Sequence, residues 1–360
     1  MLDFTTLPHP ALTSAQDRTV AMANLGFGTL FTDHMVTIRY TEGQGWHDAV
    51  LGPRQPIPLD PAAAVLHYAQ EIFEGLKAYR LPDGTVASFR PEANAARFNA
   101  SATRLAMPHL PEDLFIESIR TLVAADVDWV PEADKGSLYL RPFMFASEAF
   151  LGVRPAHEYI YCVIASPVGG YFKGGKSVVT LWVSHDQVRA VPGGTGAAKC
   201  GGNYAASLQP QAVGIAHGCD QVLFLDAVER KWIEELGGMN IMFVFNDGTI
   251  LTPPLNGSIL PGVTRDSIRR IAAEAGYTLR EEPYSFDQWM ADARSGKLKE
   301  AFACGTAAVV TPIGEVRSER GNFVIGNGDG GDVARTLRER LVGIQLGRQP
   351  DVHGWMTRLA

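Results

Sequence analysis

Gly193-Gly194-Thr195-Gly196-Ala197-Ala198-Lys199-Cys200-Gly201-Gly202-Asn203-Tyr204 sets one lysine in a run of small residues. No Asp or Glu occurs between Asp186 and Asp220. Lysines are ordinarily surface residues, solvated or paired with acids. Small neighbours instead let a backbone approach a bulky ligand closely. A tightly packed lysine with no carboxylate near it in sequence is a candidate amine nucleophile, because desolvation frees the neutral amine. The competing reading is a structural lysine beside a glycine turn. A nucleotide-phosphate loop would end in Gly-Lys-Ser/Thr. Ala198 and Cys200 flank Lys199, so that chemistry is excluded.

Working outward, 360 residues suggest two domains. Hydrophobic residues at 46% and charged residues at 20% fit a globular chain with a sizeable core. The net charge of −7, from 32 basic and 39 acidic residues, argues against a nucleic-acid partner. Small anions would need local positive sites. Cys162, Cys200, Cys219 and Cys304 form no CxxC pair and no metal-ligand spacing, which leaves free thiols and no expected metal. The first residues lack the basic and apolar regions of a signal peptide, and no apolar run reaches the roughly 18 residues of a membrane span. A cytoplasmic location and no membrane partner are expected.

Two helical stripes stand out in the first half. One is predicted over Pro91–Met107, with Phe98, Ala102 and Leu105 on one face and Arg97, Ser101 and Arg104 on another. The second is predicted over Glu112–Val127, with Leu114, Ile119, Leu122 and Val123 apolar. Asn246-Asp247-Gly248-Thr249 reads as a hairpin turn between Ile241–Phe245 and Ile250–Leu251. Tyr159–Ala165, Val178–Val183 and Gln221–Leu225 read as strands, and Thr264–Ala275 and Gly330–Val342 as helices. The glycine-rich stretch from Val168 to Lys176 suggests an interdomain linker, taken as residues 171–180. The expected division is residues 1–170, a linker, and 181–360 carrying Lys199. A cleft between the domains is the usual place for a ligand.

Four further constellations accompany Lys199. In Leu260-Pro261-Gly262-Val263-Thr264-Arg265-Asp266, Thr264 reads as the N-cap of a helix. Such a start can bind phosphate through free N–H groups and the positive end of the dipole. Arg97 on its helix could hold a phosphate with both arms of its guanidinium. Glu235, in Glu234-Glu235-Leu236-Gly237-Gly238, could meet a cationic ring nitrogen at the mouth of a strand. Cys304-Gly305-Thr306-Ala307-Ala308 could cradle an anion with a hydroxyl and backbone N–H groups. Taken singly, each has a bland alternative: a capped helix, a surface arginine, a pair of solvated acids, a small-residue turn. Together they supply what pyridoxal 5'-phosphate needs: an amine, a phosphate cup and an acid for the ring nitrogen.

The chain resembles the branched-chain amino-acid aminotransferases, among the fold-type IV pyridoxal-phosphate enzymes. The resemblance rests on Phe27–Met35, His67–Ala78, Tyr139-Leu140-Arg141-Pro142, the Lys199 segment, Glu235–Asn240, Leu260–Thr264 and Gly305-Thr306-Ala307. It runs over nearly the whole chain and is strongest to the larger branch, which includes the mammalian enzymes. It implies an α+β, two-domain architecture with the active site between the domains. It implies that Lys199 is the Schiff-base lysine, that Tyr204 bonds the cofactor's phenolic oxygen, and that Glu235 pairs with the pyridine nitrogen. Arg97, Val263, Thr264 and Thr306 would hold the phosphate. The Ala307 N–H and the Tyr68 hydroxyl would take the substrate carboxylate. Phe27, Phe73, Tyr139 and Tyr171 would wall the side-chain pocket, with Arg141 at its polar edge. Leu151 and Val153 would come from the neighbouring subunit of a homodimer.

Two positions depart from the larger branch. Gly238 stands where a carboxylate-binding threonine is found, and Ala308-Val309-Val310-Thr311 replaces a redox CxxC. The implied reaction is a ping-pong transfer of the amino group from L-leucine, L-isoleucine or L-valine to 2-oxoglutarate, giving the 2-oxo acid and L-glutamate. A methylene more or less changes apolar binding by only about 1–3 kcal/mol, so one pocket would take all three. Alternatives within the fold are a D-amino-acid aminotransferase and an aminodeoxychorismate lyase. Outside it, the alternative is a non-catalytic ligand-binding protein.

Overall fold

The computed structural model describes residues 2–169 and 178–360. The expected linker, residues 171–180, lies outside the described residues except for its last three positions, and Tyr171 lies outside them too. The architecture is α+β. By their contacts, the described residues gather into two units.

In the first unit a nine-stranded sheet runs in the order Thr5–Thr6, Gly45–Pro53, His34–Thr41, Glu158–Val168, Ser137–Ala146, Leu76–Arg80, Val86–Phe89, Met356–Arg358. The short strand Glu71–Phe73 pairs with Ser137–Ala146 off this path. The pairings are antiparallel apart from Thr5–Thr6 with Gly45–Pro53. Two helices supply the aromatic side of its core. Pro91 opens the helix Pro91–Arg104, where a missing N–H removes no helical bond. Glu112 and Asp113 sit in the first turn of the helix Glu112–Ala125, where the dipole favours negative charge. Phe98 and Phe115 from these helices meet Tyr161 of the strand Glu158–Val168, with ring centroids 5.6–6.2 Å apart. All three rings are buried, and each buried aromatic contributes about 1.5–3 kcal/mol.

Both helices stop sooner than their apolar stripes suggest. The first ends at Arg104, and Ala106 turns into the left-handed region at φ 51°. The second ends at Ala125, because the Asp126 carboxylate is held by the backbone N–H and Nδ1 of His34 at 3.1 and 2.7 Å. That tie draws the chain out of the helix.

Residues 198–201 and 344–360 also pack with the first unit, whereas the expected division put both segments in the second domain. Ala198 and Cys200 are buried in the first unit's core. Met356–Arg358 pairs with Val86–Phe89, and Trp355 lies edge-on to Phe89 at 5.4 Å.

The second unit has its own nine-stranded sheet: Ile233–Leu236, Gln221–Leu225, Val179–Ser184, Val309–Arg317, Leu298–Gly305, Asn240–Phe245, Thr249–Thr252, Thr278–Glu281, with Phe323–Val324 paired to Val309–Arg317. It mixes parallel and antiparallel pairs. The expected hairpin joins Asn240–Phe245 to Thr249–Thr252, and Gly248 takes the φ of 83° that its turn requires. The helices Val263–Glu274 and Asp332–Gln345 lie close to their predicted spans. Among the described residues no helix is long and apolar enough to cross a membrane.

Candidate active-site residues

In the first unit, Lys199 is held by its main chain. Its N–H donates to Ser101 Oγ at 2.9 Å, and its carbonyl accepts from the Phe73 N–H at 3.0 Å. Its Nζ lies 4.8 Å from the centroid of the Phe73 ring. The residue is half-buried. Ser101 and Arg97 sit one turn apart on the helix Pro91–Arg104, so one helix carries both a lysine support and an expected phosphate ligand.

Arg97 forks onto Glu74, with Nε to Oε1 at 2.7 Å and Nη2 to Oε2 at 2.8 Å. Glu74 is fully buried and also accepts from Asn94 Nδ2 at 2.7 Å and from the neighbouring Gly75 N–H at 3.1 Å. Burial alone would push its carboxyl up, but Arg97, Lys199 and Asn94 together hold it below the ordinary value. Lys199 therefore does have a carboxylate in its field. It comes from far away in sequence and is already bonded by arginine.

The expected pocket wall is an aromatic group around one arginine. The rings of Phe27 and Tyr139 meet edge-on at 5.2 Å. Arg141 donates to the Tyr139 hydroxyl at 2.9 Å, and its guanidinium lies 4.7 Å from the Phe73 centroid and 5.4 Å from that of Tyr139. Its buried Nε has no hydrogen-bond partner among the described residues. The Tyr68 hydroxyl donates to the Leu151 carbonyl of the same chain. Leu151 and Val153 are 66% and 89% exposed on that loop.

The second unit brings together the other expected ligands. Glu235 lies in Ile233–Leu236, a strand buried along its whole length, and is 2% exposed. Its Oε1 pairs with Arg189 Nη1 at 2.8 Å and accepts from the Leu260 N–H at 2.8 Å. Its Oε2 takes a longer bond, 3.3 Å, from Asn240 Nδ2. The same Arg189 nitrogen reaches the Ser258 and Gly196 carbonyls at 3.1 and 3.4 Å, which ties the glycine loop to the acid's surroundings. Glu234 next door is also buried, contrary to the solvated-pair alternative. Burial pushes its carboxyl up, opposed by a hydrogen bond from Asn256.

Thr264 is not the N-cap of its helix. Gly262 holds that place, and Thr264 lies buried inside the first turn. No side chain caps this helix start. Its N–H groups keep the character that suits an anion. Thr306 and Ala307 form the turn between Leu298–Gly305 and Val309–Arg317. Val309 closes that turn at φ 63°, a strained value for a β-branched residue and of a kind that collects at functional sites. A Cβ built on Gly238 meets Tyr204 Cε1 at 3.7 Å, an ordinary contact, so the glycine is not required by crowding there. All four cysteines are free and buried, and burial pushes the Cys304 thiol up to about 12.

Three residues of these clusters were not expected from the sequence as parts of the site: Glu74, Ser101 and Arg189. Arg189 had a signal. With Lys199 it is one of two Lys or Arg residues in the acid-free run from 187 to 219. Glu74 lies inside the His67–Ala78 motif, but its role depends on a partner on a later helix.

Taken unit by unit, the chemistry fits parts of a phosphorylated cofactor: in the second unit the uncapped helix start suits a phosphate and the buried acid a protonated ring nitrogen, and in the first unit the clamped amine suits an aldehyde carbon. Residues 71–316 match the family of class IV amino-transferases. The chain is 59% identical over 353 residues to a probable branched-chain-amino-acid aminotransferase of Streptomyces coelicolor, covering 98% of this chain and 97% of that one. It is 55% identical over 362 residues to the branched-chain-amino-acid aminotransferase of Mycolicibacterium smegmatis, covering 99% and 98%. The fold superposes with a TM-score of 0.75 on the crystal structure of the Escherichia coli branched-chain amino acid aminotransferase, at 28% identity over 90% of this chain and 99% of that chain. Sequence identity of this extent, on a shared fold, leads to one conclusion: the chain belongs to the class IV aminotransferases, and within them to the branched-chain-amino-acid aminotransferases.

Proposed function

We propose that this enzyme moves the amino group of L-leucine, L-isoleucine and L-valine to 2-oxoglutarate with pyridoxal 5'-phosphate as cofactor. One observation carries the reading. The Lys199 amine and the Arg141 guanidinium both lie over the Phe73 ring, at 4.8 and 4.7 Å. An apolar surface that carries both an amine and a guanidinium suits a reaction that alternates an aliphatic side chain with a second carboxylate.

When bound, the cofactor supplies an aldehyde for the amino group and an electron-withdrawing ring. The chain's residues do the rest. The Lys199 Nζ takes the proton from the substrate Cα and returns it, a task for an amine held in place by Ser101 and Phe73. Glu235, kept as an acceptor by Arg189, holds a protonated ring nitrogen. Tyr204 bonds the phenolic oxygen. The N–H groups of Val263 and Thr264, the Thr306 hydroxyl and Arg97 hold the phosphate. The Ala307 N–H and the Tyr68 hydroxyl orient the α-carboxylate, with backbone serving where Gly238 lacks a hydroxyl. Phe27, Phe73 and Tyr139 bury the branched side chain. Arg141, with its Nε unbonded, takes the second carboxylate of 2-oxoglutarate and L-glutamate.

The exposed Leu151 and Val153 support a homodimer in which this loop reaches the neighbouring subunit's pocket. Four free thiols support a reducing, cytoplasmic setting.

The test is a half-reaction spectrum. The purified protein with added cofactor should absorb in the near-ultraviolet to visible range, and L-leucine should bleach that band while 4-methyl-2-oxopentanoate appears. Turnover with D-alanine alone, or pyruvate release from aminodeoxychorismate, would sink the reading. Lys199→Ala should lower kcat by at least about 10⁴-fold with its circular dichroism unchanged. A variant with wild-type turnover would remove Lys199 from its role.

A further inference from the structure

We propose that Glu71 is the positioning residue for Lys199: its carboxylate holds the Gly201 N–H and so fixes the 199–201 segment against the strand Glu71–Phe73. The proposal rests on Lys199 being the reacting amine.

The strand Glu71–Phe73 pairs with Ser137–Ala146, in register Glu71 with Phe145 and Phe73 with Phe143. It also grips the lysine segment at two points. At one end the Phe73 N–H donates to the Lys199 carbonyl at 3.0 Å. At the other, the Glu71 carboxylate accepts from the Gly201 N–H in a short hydrogen bond. Between these points the Lys199 Nζ lies over the Phe73 ring. Ser101 Oγ supplies a third hold on the Lys199 N–H. The geometry of the amine is thus set from residues 71, 73 and 101.

Gly201 is the first residue of the helix Gly201–Ala216. A carboxylate on its N–H complements the helix dipole. A Cβ at residue 201 would meet the Glu71 Oε1 far inside contact distance. Glu71 ends in a flexible arm, so a methyl group at 201 would displace the carboxylate and leave the backbone in place. Burial raises the Glu71 carboxyl, against the Gly201 N–H and the Arg141 charge that lower it. The carboxylate that holds the Gly201 N–H thus also feels the charge of the pocket-wall arginine.

The test compares holoenzymes of Glu71→Ala, Glu71→Gln, Gly201→Ala and the double variant Glu71→Ala/Gly201→Ala. Glu71→Ala should lower kcat with L-leucine about tenfold with KM within about twofold, since small displacements of a reacting group act on the chemical step. Glu71→Gln keeps an acceptor and should stay within about threefold of wild type. Gly201→Ala should copy Glu71→Ala, and the double variant should be no worse than either. Amide hydrogen exchange over residues 199–201, measured by mass spectrometry without cofactor, should quicken in Glu71→Ala and Gly201→Ala but not in Glu71→Gln. Wild-type kcat and exchange in Glu71→Ala would overturn the proposal. So would multiplying losses in the double variant, or a loss explained wholly by a smaller folded fraction. Should the wild type fail to transaminate leucine, the functional reading falls, and the exchange measurement still decides whether Glu71 holds the segment.

Discussion

Two buried arginine–glutamate pairs do opposite work in this enzyme. In the first unit, Glu74 is the fully enclosed member and takes both arms of Arg97, with Asn94 and the Gly75 N–H completing its shell. The acid there serves the arginine, fixing on its helix the side chain proposed to hold the phosphate. In the second unit, among the described residues, the Arg189 Nη1 pairs with Glu235 Oε1 and also reaches two carbonyls, and the Arg189 Nε has no hydrogen-bond partner. The arginine there serves the acid. Buried ion pairs are poor evidence for net stability because desolvation offsets the attraction. What they do well is hold one group in one place and one charge state.

The sharpest break of this contrast is Glu235→Gln. It preserves shape but removes the charge proposed to face a ring nitrogen, and kcat for leucine should fall by about 10²–10³-fold, the scale of losing one electrostatic partner of the reacting system. A fall smaller than about threefold would show that the second pair is structural.

Next is Glu74→Ala, which leaves the part-buried Arg97 without its acid. Urea unfolding should show a loss of about 3–5 kcal/mol. The pair also has a pH signature. The Glu74 carboxyl is depressed in the folded state from its ordinary 4.5. Its contribution is therefore full above that ordinary value and is lost as pH falls through the lower, folded-state value. The stability gap between wild type and Glu74→Gln should close on acidification, and a gap constant from about pH 7 to pH 3 would refute the assignment.

The smallest effect concerns Glu234, the buried neighbour with no arginine fork. Burial raises its carboxyl, so it costs stability once pH exceeds the unfolded-state value. Glu234→Gln should melt slightly higher than wild type at about pH 8 and no higher at about pH 4. A lower melting temperature at the alkaline end would mean that its hydrogen bond to Asn256 outweighs its desolvation.

Helices and turns were legible in the sequence because their causes are local. Phe98 and Ala102 mark a buried stripe, and Asn246-Asp247-Gly248-Thr249 marks a hairpin. Lys199 stood out through its neighbours; Glu235 was expected at the mouth of the strand from Ile241, and it lies instead within a strand of its own, Ile233–Leu236. The supports of these groups were not legible. Arg97 finds Glu74 across 23 positions, Lys199 finds Ser101 across 98, and Gly201 finds Glu71 across 130. Nothing local at residue 71 or 101 announces a partner that only the sheet order brings near. The acid-free stretch around Lys199 misleads for the same reason, since Glu74 arrives from outside it. Thr264 suits a cap by residue type alone, and Gly262 occupies that place instead.

The strand Met356–Arg358 forms one edge of the first unit's sheet, beside Val86–Phe89, and the Ala360 carbonyl accepts from the Val86 N–H at 2.7 Å. During synthesis, then, the first unit waits. Its sheet cannot be completed until residues 356–360 have left the ribosome, while residues 178–343 emerge earlier and can settle first. The part of the enzyme made first is finished last, and a chain broken off before residue 356 leaves a sheet with a bare edge, the kind of surface that invites aggregation.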